Sequence, residues 1–375
     1  MASLAGLVSA VRVDEVVLPL QRPVRNGTAF IAQREYVLVT VETVDGATGT
    51  ACALTRGAPI RAMVEDFLAP RLIGQSAFNL QNAWQDNYRA GELFLGRSGA
   101  FIRALSLIDI ALWDLLGAVL ERPVAAILGG GGGSAPVMAA LGYYQSDADG
   151  RIIADLDRLT EEYVGFVERG FRKFKVMAGG APLTVDVERI RAISSVLPPD
   201  AELAVDVNGA WSTAAEGLRF LDAVDVPFSF IEDPFRPDND SALRRFRAQS
   251  SAVVAVGEWE SGIHRFRSLL GDGLADVLRI DATACGGIGE WMRIAALASA
   301  YDASIVPHYY PEIHVHLAAA VPGVDAVETV PVETGADNFD ELLTHSAWAG
   351  GASATPLDTP GFGTEWDWER IRHVR

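Results

Sequence analysis

Lys173-Phe-Lys175, Glu202-Leu-Ala-Val-Asp206, Phe228-Ser-Phe-Ile-Glu232, Ala252-Val-Val-Ala-Val-Gly-Glu258, Val277-Leu-Arg-Ile-Asp281, Ala303-Ser-Ile-Val-Pro-His308 and Val324-Asp-Ala-Val-Glu328 are seven short apolar runs, each closed by a charged or titratable residue. From Lys175 onward the closing residues are separated by 31, 26, 26, 23, 27 and 20 positions. Roughly 30 residues suffice for a strand, a helix and two connections. Amphipathic helical patterns fill the gaps at about 149–169, 184–196, 213–224, 239–248, 262–270, 287–300 and 311–320. Alternation sustained this long implies a parallel sheet closed into a barrel, whose chemistry collects at the C-terminal ends of its strands. The stretch therefore reads as an active site written out in order.

Working outward, residues 10–18, 35–44 and 49–55 are rich in Val and Thr, with a turn at Asp45-Gly46-Ala47, and suggest a small antiparallel meander. Between the first two, Gln21–Gln33 has no clean period and reads as a mobile loop. Helices are expected at about 60–73, 79–90 and 99–120, the last apolar nearly all round and so buried. The glycine run Gly129–Gly133 lacks the Lys-Ser/Thr of a phosphate-binding loop and marks a domain boundary. The expected division is an α+β capping domain over 1–131, a barrel over 132–344, and a tail, 345–375, returning to the first domain.

Composition sets bounds. The chain has 375 residues and a net charge of −18, which disfavours nucleic acid or an anionic membrane surface as partner. Two cysteines supply neither a disulfide framework nor a zinc set, so the expected compartment is the cytoplasm. The N-terminus lacks the basic region of a signal peptide, and no apolar run approaches the roughly 20 residues of a membrane span.

Asp206, Glu232 and Glu258 end three consecutive strands. Carboxylates packed so closely could not all stay ionised without a cation, and an all-oxygen set suits Mg²⁺. Asn208 shares a face with Asp206 and could assist. Lys173 and Lys175 share one face of their strand, where mutual repulsion and a nearby metal would lower a lysine pKa toward the range in which it can act as a base. Asp281 and His308 suit a carboxylate-oriented imidazole across the barrel. His314 and His316 read as packing or surface residues, Tyr143 as pocket-lining, and Arg279 as turned away from Asp281 in an outer ion pair.

This ordered set resembles the mandelate racemase subgroup of the enolase superfamily: Lys-x-Lys, Asp in Val-Asp-Val-Asn, Glu in Ile-Glu-Asp-Pro, Gly-Glu, Asp, His and a final Glu. The helix Leu112-Trp-Asp-Leu-Leu-Gly117 and the tail Pro360-Gly-Phe-Gly-Thr-Glu-Trp366 extend the likeness over the whole chain. The resemblance implies a modified TIM barrel, (β/α)7β, with a capping domain, one Mg²⁺ per site, and abstraction of the proton α to a carboxylate. It implies that Asp206, Glu232 and Glu258 bind the metal, that Lys175 is one base, and that His308, held by Asp281, is the acid/base opposite. Lys173 would neutralise the substrate carboxylate and Glu328 would donate a hydrogen bond to it. Segment 21–33 would close over the substrate, with Arg25, Asn208 and Tyr143 as contacts. Hydrogen-bonding groups there favour dehydration of a sugar acid, whereas Phe30 and Ile31 suit a racemase or epimerase of an aromatic 2-hydroxy acid. A homo-oligomer, dimer to octamer, is expected. A Schiff-base aldolase and a non-catalytic binding barrel are the readings outside this branch.

Overall fold

The structure, a computed structural model, describes residues 6–147, 151–153, 155–346, 348 and 350–374. Val8–Arg25, Phe30–Thr43 and Thr48–Leu54 form the antiparallel meander. The helix Ala100–Leu120 lies across the last strand and is buried through most of its length. Gly49 permits this approach, since a Cβ there would stand 2.2 Å from the carbonyl oxygen of Ala111.

Eight parallel strands follow: Ala135–Leu141, Lys173–Met177, Glu202–Asp206, Ile231–Glu232, Val254–Val256, Val277–Leu278, Ser304–Ile305 and Val327–Thr329. The first seven pair in sequence order, and the eighth pairs with the first, Glu328 opposite Met138. A bridge from Ile305 to Val324 joins the seventh strand to the approach to the eighth. A helix precedes every strand after the first, which gives the (β/α)7β barrel. Six of these helices lie within one residue of the expected spans, because their amphipathic period is clean. The first is Leu156–Glu168, and part of its expected start lies outside the described residues.

Segment 21–33 is not a loop. It is the tip of a long hairpin, continuous with the first two strands, with a register irregularity between Pro19 and Val24. That irregularity shifts the face of every following side chain and erases the period-two signal. Val24 and Arg25 also pair with Gln145 and Tyr144 beyond the first barrel strand, which carries the tip over the barrel mouth. In the tail, Ser353–Ala354 pairs with the start of the first barrel strand, and Phe362 donates its N–H to Asp114 of the long helix at 2.9 Å. Both cysteines are free and buried. No helix among the described residues is long and apolar enough to cross a membrane.

Candidate active site

Side chains alternate along a strand, so Lys173, Lys175 and Met177 all face the barrel interior, at three heights. The register decides which is which. Lys173 pairs with Glu202 at the beginning of the third strand, and Met177 with Asp206 at its end. Lys173 therefore sits at the N-terminal end, about 13 Å below the mouth at 3.3 Å per residue. Its Nζ is 2.6 Å from Glu202 Oε2, beside a separate cavity of about 180 Å³. The expectation that both lysines point into one mouth fails, because a shared face does not fix height along the strand.

Lys175 is buried at the centre of the cluster. Its Nζ lies 3.1 Å from Asp206 Oδ2, 2.9 Å from Glu232 Oε2 and 2.9 Å from Glu328 Oε2. Burial alone would lower its pKa, but Glu232 and Asp206 outweigh burial and raise it. With these carboxylates around it, Lys175 is a paired ammonium. Arg279, fully buried, is its companion: Nε donates to Glu232 Oε1 at 2.8 Å, Nη1 to the carbonyl of Val306 at 2.7 Å, and Nη2 to Glu328 Oε2. The outer ion pair expected for Arg279 is thus wrong. Residues two apart in an extended strand share a face, so Arg279 points inward with Asp281. Glu328 accepts from both cations on one oxygen, which makes it an acceptor rather than the donor expected.

Asp281 is fixed by its own loop. Its Oδ1 accepts from the N–H and the hydroxyl of Thr283, both at 2.7 Å, and its Oδ2 lies 3.0 Å from His308 Nδ1. His308 Nε2 turns to Glu258, 2.5 Å away. Burial would lower the imidazole pKa, but Glu258 and Asp281 raise it. The next two residues, Tyr309 and Tyr310, both take positive φ (52° and 45°), a strained turn of the kind found at functional sites. His314 and His316 are buried packing residues, each with both ring nitrogens bonded to backbone, and burial pushes their pKa values down to about 4.

Among the described residues no three acidic, His or Cys side chains converge as a ready-formed metal-ligand group. The Lys175 ammonium stands between Asp206 and Glu232, and Glu258 is turned onto His308. Charge nevertheless argues for a cation. Burial and the charge of Glu232 raise the Asp206 pKa to about 6. Burial, then Glu258, Glu232 and Asp206, drive that of Asp233 well up, and Asp233 Oδ2 is buried without a hydrogen-bond partner. An orphaned oxygen in a field of surplus carboxylates is a site short of positive charge. The donor set fits a hard divalent ion, provided Lys175 and His308 release the three carboxylates.

Above this cluster opens a cavity of about 660 Å³, lined by Lys175, Asp206, Glu258, His308 and Glu328 below and by the capping domain above. Tyr143 and Asn208 border it. Asn208, at φ 49°, also accepts the N–H of Gly27 on Oδ1 at 3.1 Å and so holds the hairpin tip down. A Cβ at Gly27 would stand 2.1 Å from the carbonyl oxygen of Val207, so the tip sits hard against the barrel. Arg25 is not among the lining residues. Arg34 and Arg56 are, and the sequence reading missed both. Arg56 closes the third meander strand at φ 51°, its guanidinium 4.3 Å above the Trp259 ring. A cation just past a strand end was the available signal; for Arg34 there was none.

Residues 8–129 match the mandelate racemase/muconate lactonizing enzyme N-terminal domain, and residues 158–370 the enolase C-terminal domain-like family. The chain is 29% identical over 279 residues to an arabinonate dehydratase of Saccharolobus solfataricus, covering 73% of this chain and 72% of that enzyme. It is 30% identical over 340 residues to an L-rhamnonate dehydratase of Saccharopolyspora erythraea, covering 87% and 82%. A crystal structure of a racemase from Streptomyces coelicolor with bound magnesium superposes with a TM-score of 0.86 at 27% identity, covering 98% and 99%. With the family signature running through both domains and the same architecture in the solved structure, this chain belongs to the mandelate racemase/muconate lactonizing enzyme family of the enolase superfamily.

Proposed function

We propose that the chain is a magnesium-dependent sugar-acid dehydratase, which removes the proton α to a carboxylate and expels a β-hydroxyl to give a 2-keto-3-deoxy acid. The observation that carries this reading is His308, with Nδ1 3.0 Å from Asp281 and the ring bordering the cavity that holds the buried cation Lys175. An imidazole so oriented can take a proton from carbon and give one to a departing oxygen. The dehydratase relatives support the reaction class.

Asp206, Glu232 and Glu258 would hold Mg²⁺, which when bound polarises the substrate carboxylate and offsets the charge left by proton loss. Lys175 pairs with that carboxylate, the role first expected of Lys173. Arg279 and Glu328 hold Lys175 at its height in the barrel. Arg34, Arg56 and Tyr143 offer hydrogen bonds to a polyhydroxylated chain, and the hairpin held by Asn208 keeps water out. Leu93 and Phe94, 81% and 86% exposed, would gain by burial between copies in a homo-oligomer.

The test is proton NMR in D₂O with Mg²⁺ across aldonic, aldaric and aromatic 2-hydroxy acids. A sugar acid converted to a 2-keto-3-deoxy product is expected. Turnover confined to aromatic 2-hydroxy acids, or none at all, would overturn the reading.

A further inference from the structure

We infer that this site carries a proton-transfer group on one face of the substrate only, so that it eliminates water with both leaving groups on the His308 side and never inverts the α-carbon. The inference deepens the dehydratase reading and rests on it.

The second barrel strand reaches the mouth at Met177. Its register with Asp206 puts it level with a strand-end carboxylate, and its alternation with Lys175 aims it inward. A base facing His308 from this strand would have to stand there. Met177 is instead 1% exposed, clustered with Leu20, Val24, Ala140, Tyr143, Tyr144 and Ala336. Two of these, Leu20 and Val24, come from the hairpin, so the mouth end of the second strand is packed into an apolar cluster under the capping domain and offers the cavity no titratable group.

Among the described residues beside that cluster, no titratable base takes its place. Lys175 stands one residue pair below that height, with its Nζ among Asp206, Glu232 and Glu328, and is taken up by the substrate carboxylate. Tyr143 is buried, and burial raises its pKa, which keeps the phenol protonated. Asn208 does not titrate. Across the cavity, His308 has Asp281 behind it.

The step balances on one imidazole. Neutral His308 takes the α-proton, and the C–H electrons pass into the carboxylate as an enediolate. The imidazolium returns that proton to the β-hydroxyl, the C–O bond breaks, and the enediolate electrons form the Cα–Cβ double bond. Water leaves, and the enol becomes the 2-keto-3-deoxy acid. Proton and hydroxyl depart from the same face.

The test follows α-hydrogen exchange and epimer formation in D₂O by NMR with the full chain and Mg²⁺, using both α-epimers of the sugar acid consumed. Wild type is expected to consume one epimer and leave the other unlabelled. His308→Asn is expected to lose all exchange, since no second base remains. Met177→Lys, which puts an amine at the mouth end of the second strand, should gain exchange into the untouched epimer. Appearance of the α-epimer with wild type, or persistent exchange in His308→Asn, would overturn the inference while leaving α-proton abstraction standing. An absence of turnover with every acid would instead remove the reading beneath it.

Discussion

Asp281 Oδ2 lies 3.0 Å from His308 Nδ1, and the same carboxylate is anchored through Oδ1 by Thr283. The imidazole is thus fixed in tautomer and direction by a group that is itself fixed. Asp281→Asn keeps the shape but offers an amide in place of the carboxylate. We expect kcat to fall by about 10²–10⁴-fold, the range for positioned acid/base groups, with KM little changed. Steady-state kinetics on the sugar acid found by NMR checks this; a loss in KM alone would contradict it.

Arg279 neutralises Glu232 and Glu328 together, at zero exposure. Removing one partner of a buried ion pair leaves an uncompensated charge in low dielectric, which costs roughly 3–5 kcal/mol. Arg279→Met should therefore lower unfolding stability by about that amount in urea titrations. A cost under about 1 kcal/mol would mean that water or Lys175 takes over its role.

Magnesium should stabilise the fold. A ligand that binds only the native state at about 100 times its Kd adds about 2.7 kcal/mol. The melting temperature of chelator-treated protein is expected to rise on adding Mg²⁺ and to stay flat in Asp206→Asn and Glu258→Gln. An unchanged shift in those variants would place the ion elsewhere.

The hairpin tip is tied to the barrel by the Gly27 N–H to Asn208 Oδ1 bond of 3.1 Å. A hydrogen bond of this kind is worth roughly 0.5–1.5 kcal/mol, or about two- to thirteenfold in an equilibrium. Asn208→Ala is expected to raise KM within that range and to speed protease cleavage near residues 26–29. Unaltered cleavage would show that side-chain packing alone holds the tip.

Asp109, 4% exposed, accepts backbone N–H groups at the start of the helix Ile288–Ala300, and burial lifts its pKa to about 7. The folded protein then keeps a proton that the unfolded chain has shed above its ordinary value of 3.8, so stability falls as pH rises from about 4 to 7. The full shift corresponds to about 4 kcal/mol at most. Asp109→Asn removes the titration, so its melting temperature relative to wild type should climb from pH 5 to pH 8. A constant difference would refute the assignment.

The sequence by itself determined the barrel, its seven helices and the order of residues at the strand ends, because period-two and period-3.6 patterning and the spacing of polar residues are local properties of the chain. It could not say how high on its strand each side chain stands. Lys173, Lys175 and Met177 are indistinguishable by alternation, and only pairing with Glu202 and Asp206 assigns them to the bottom, the middle and the mouth. Tertiary structure also decided what the local pattern does not encode: Arg279 between two acids, Arg34 and Arg56 reaching in from another domain, and a hairpin where the period was lost. Face is written in the order of residues along one strand; height and partnership depend on the strands beside it.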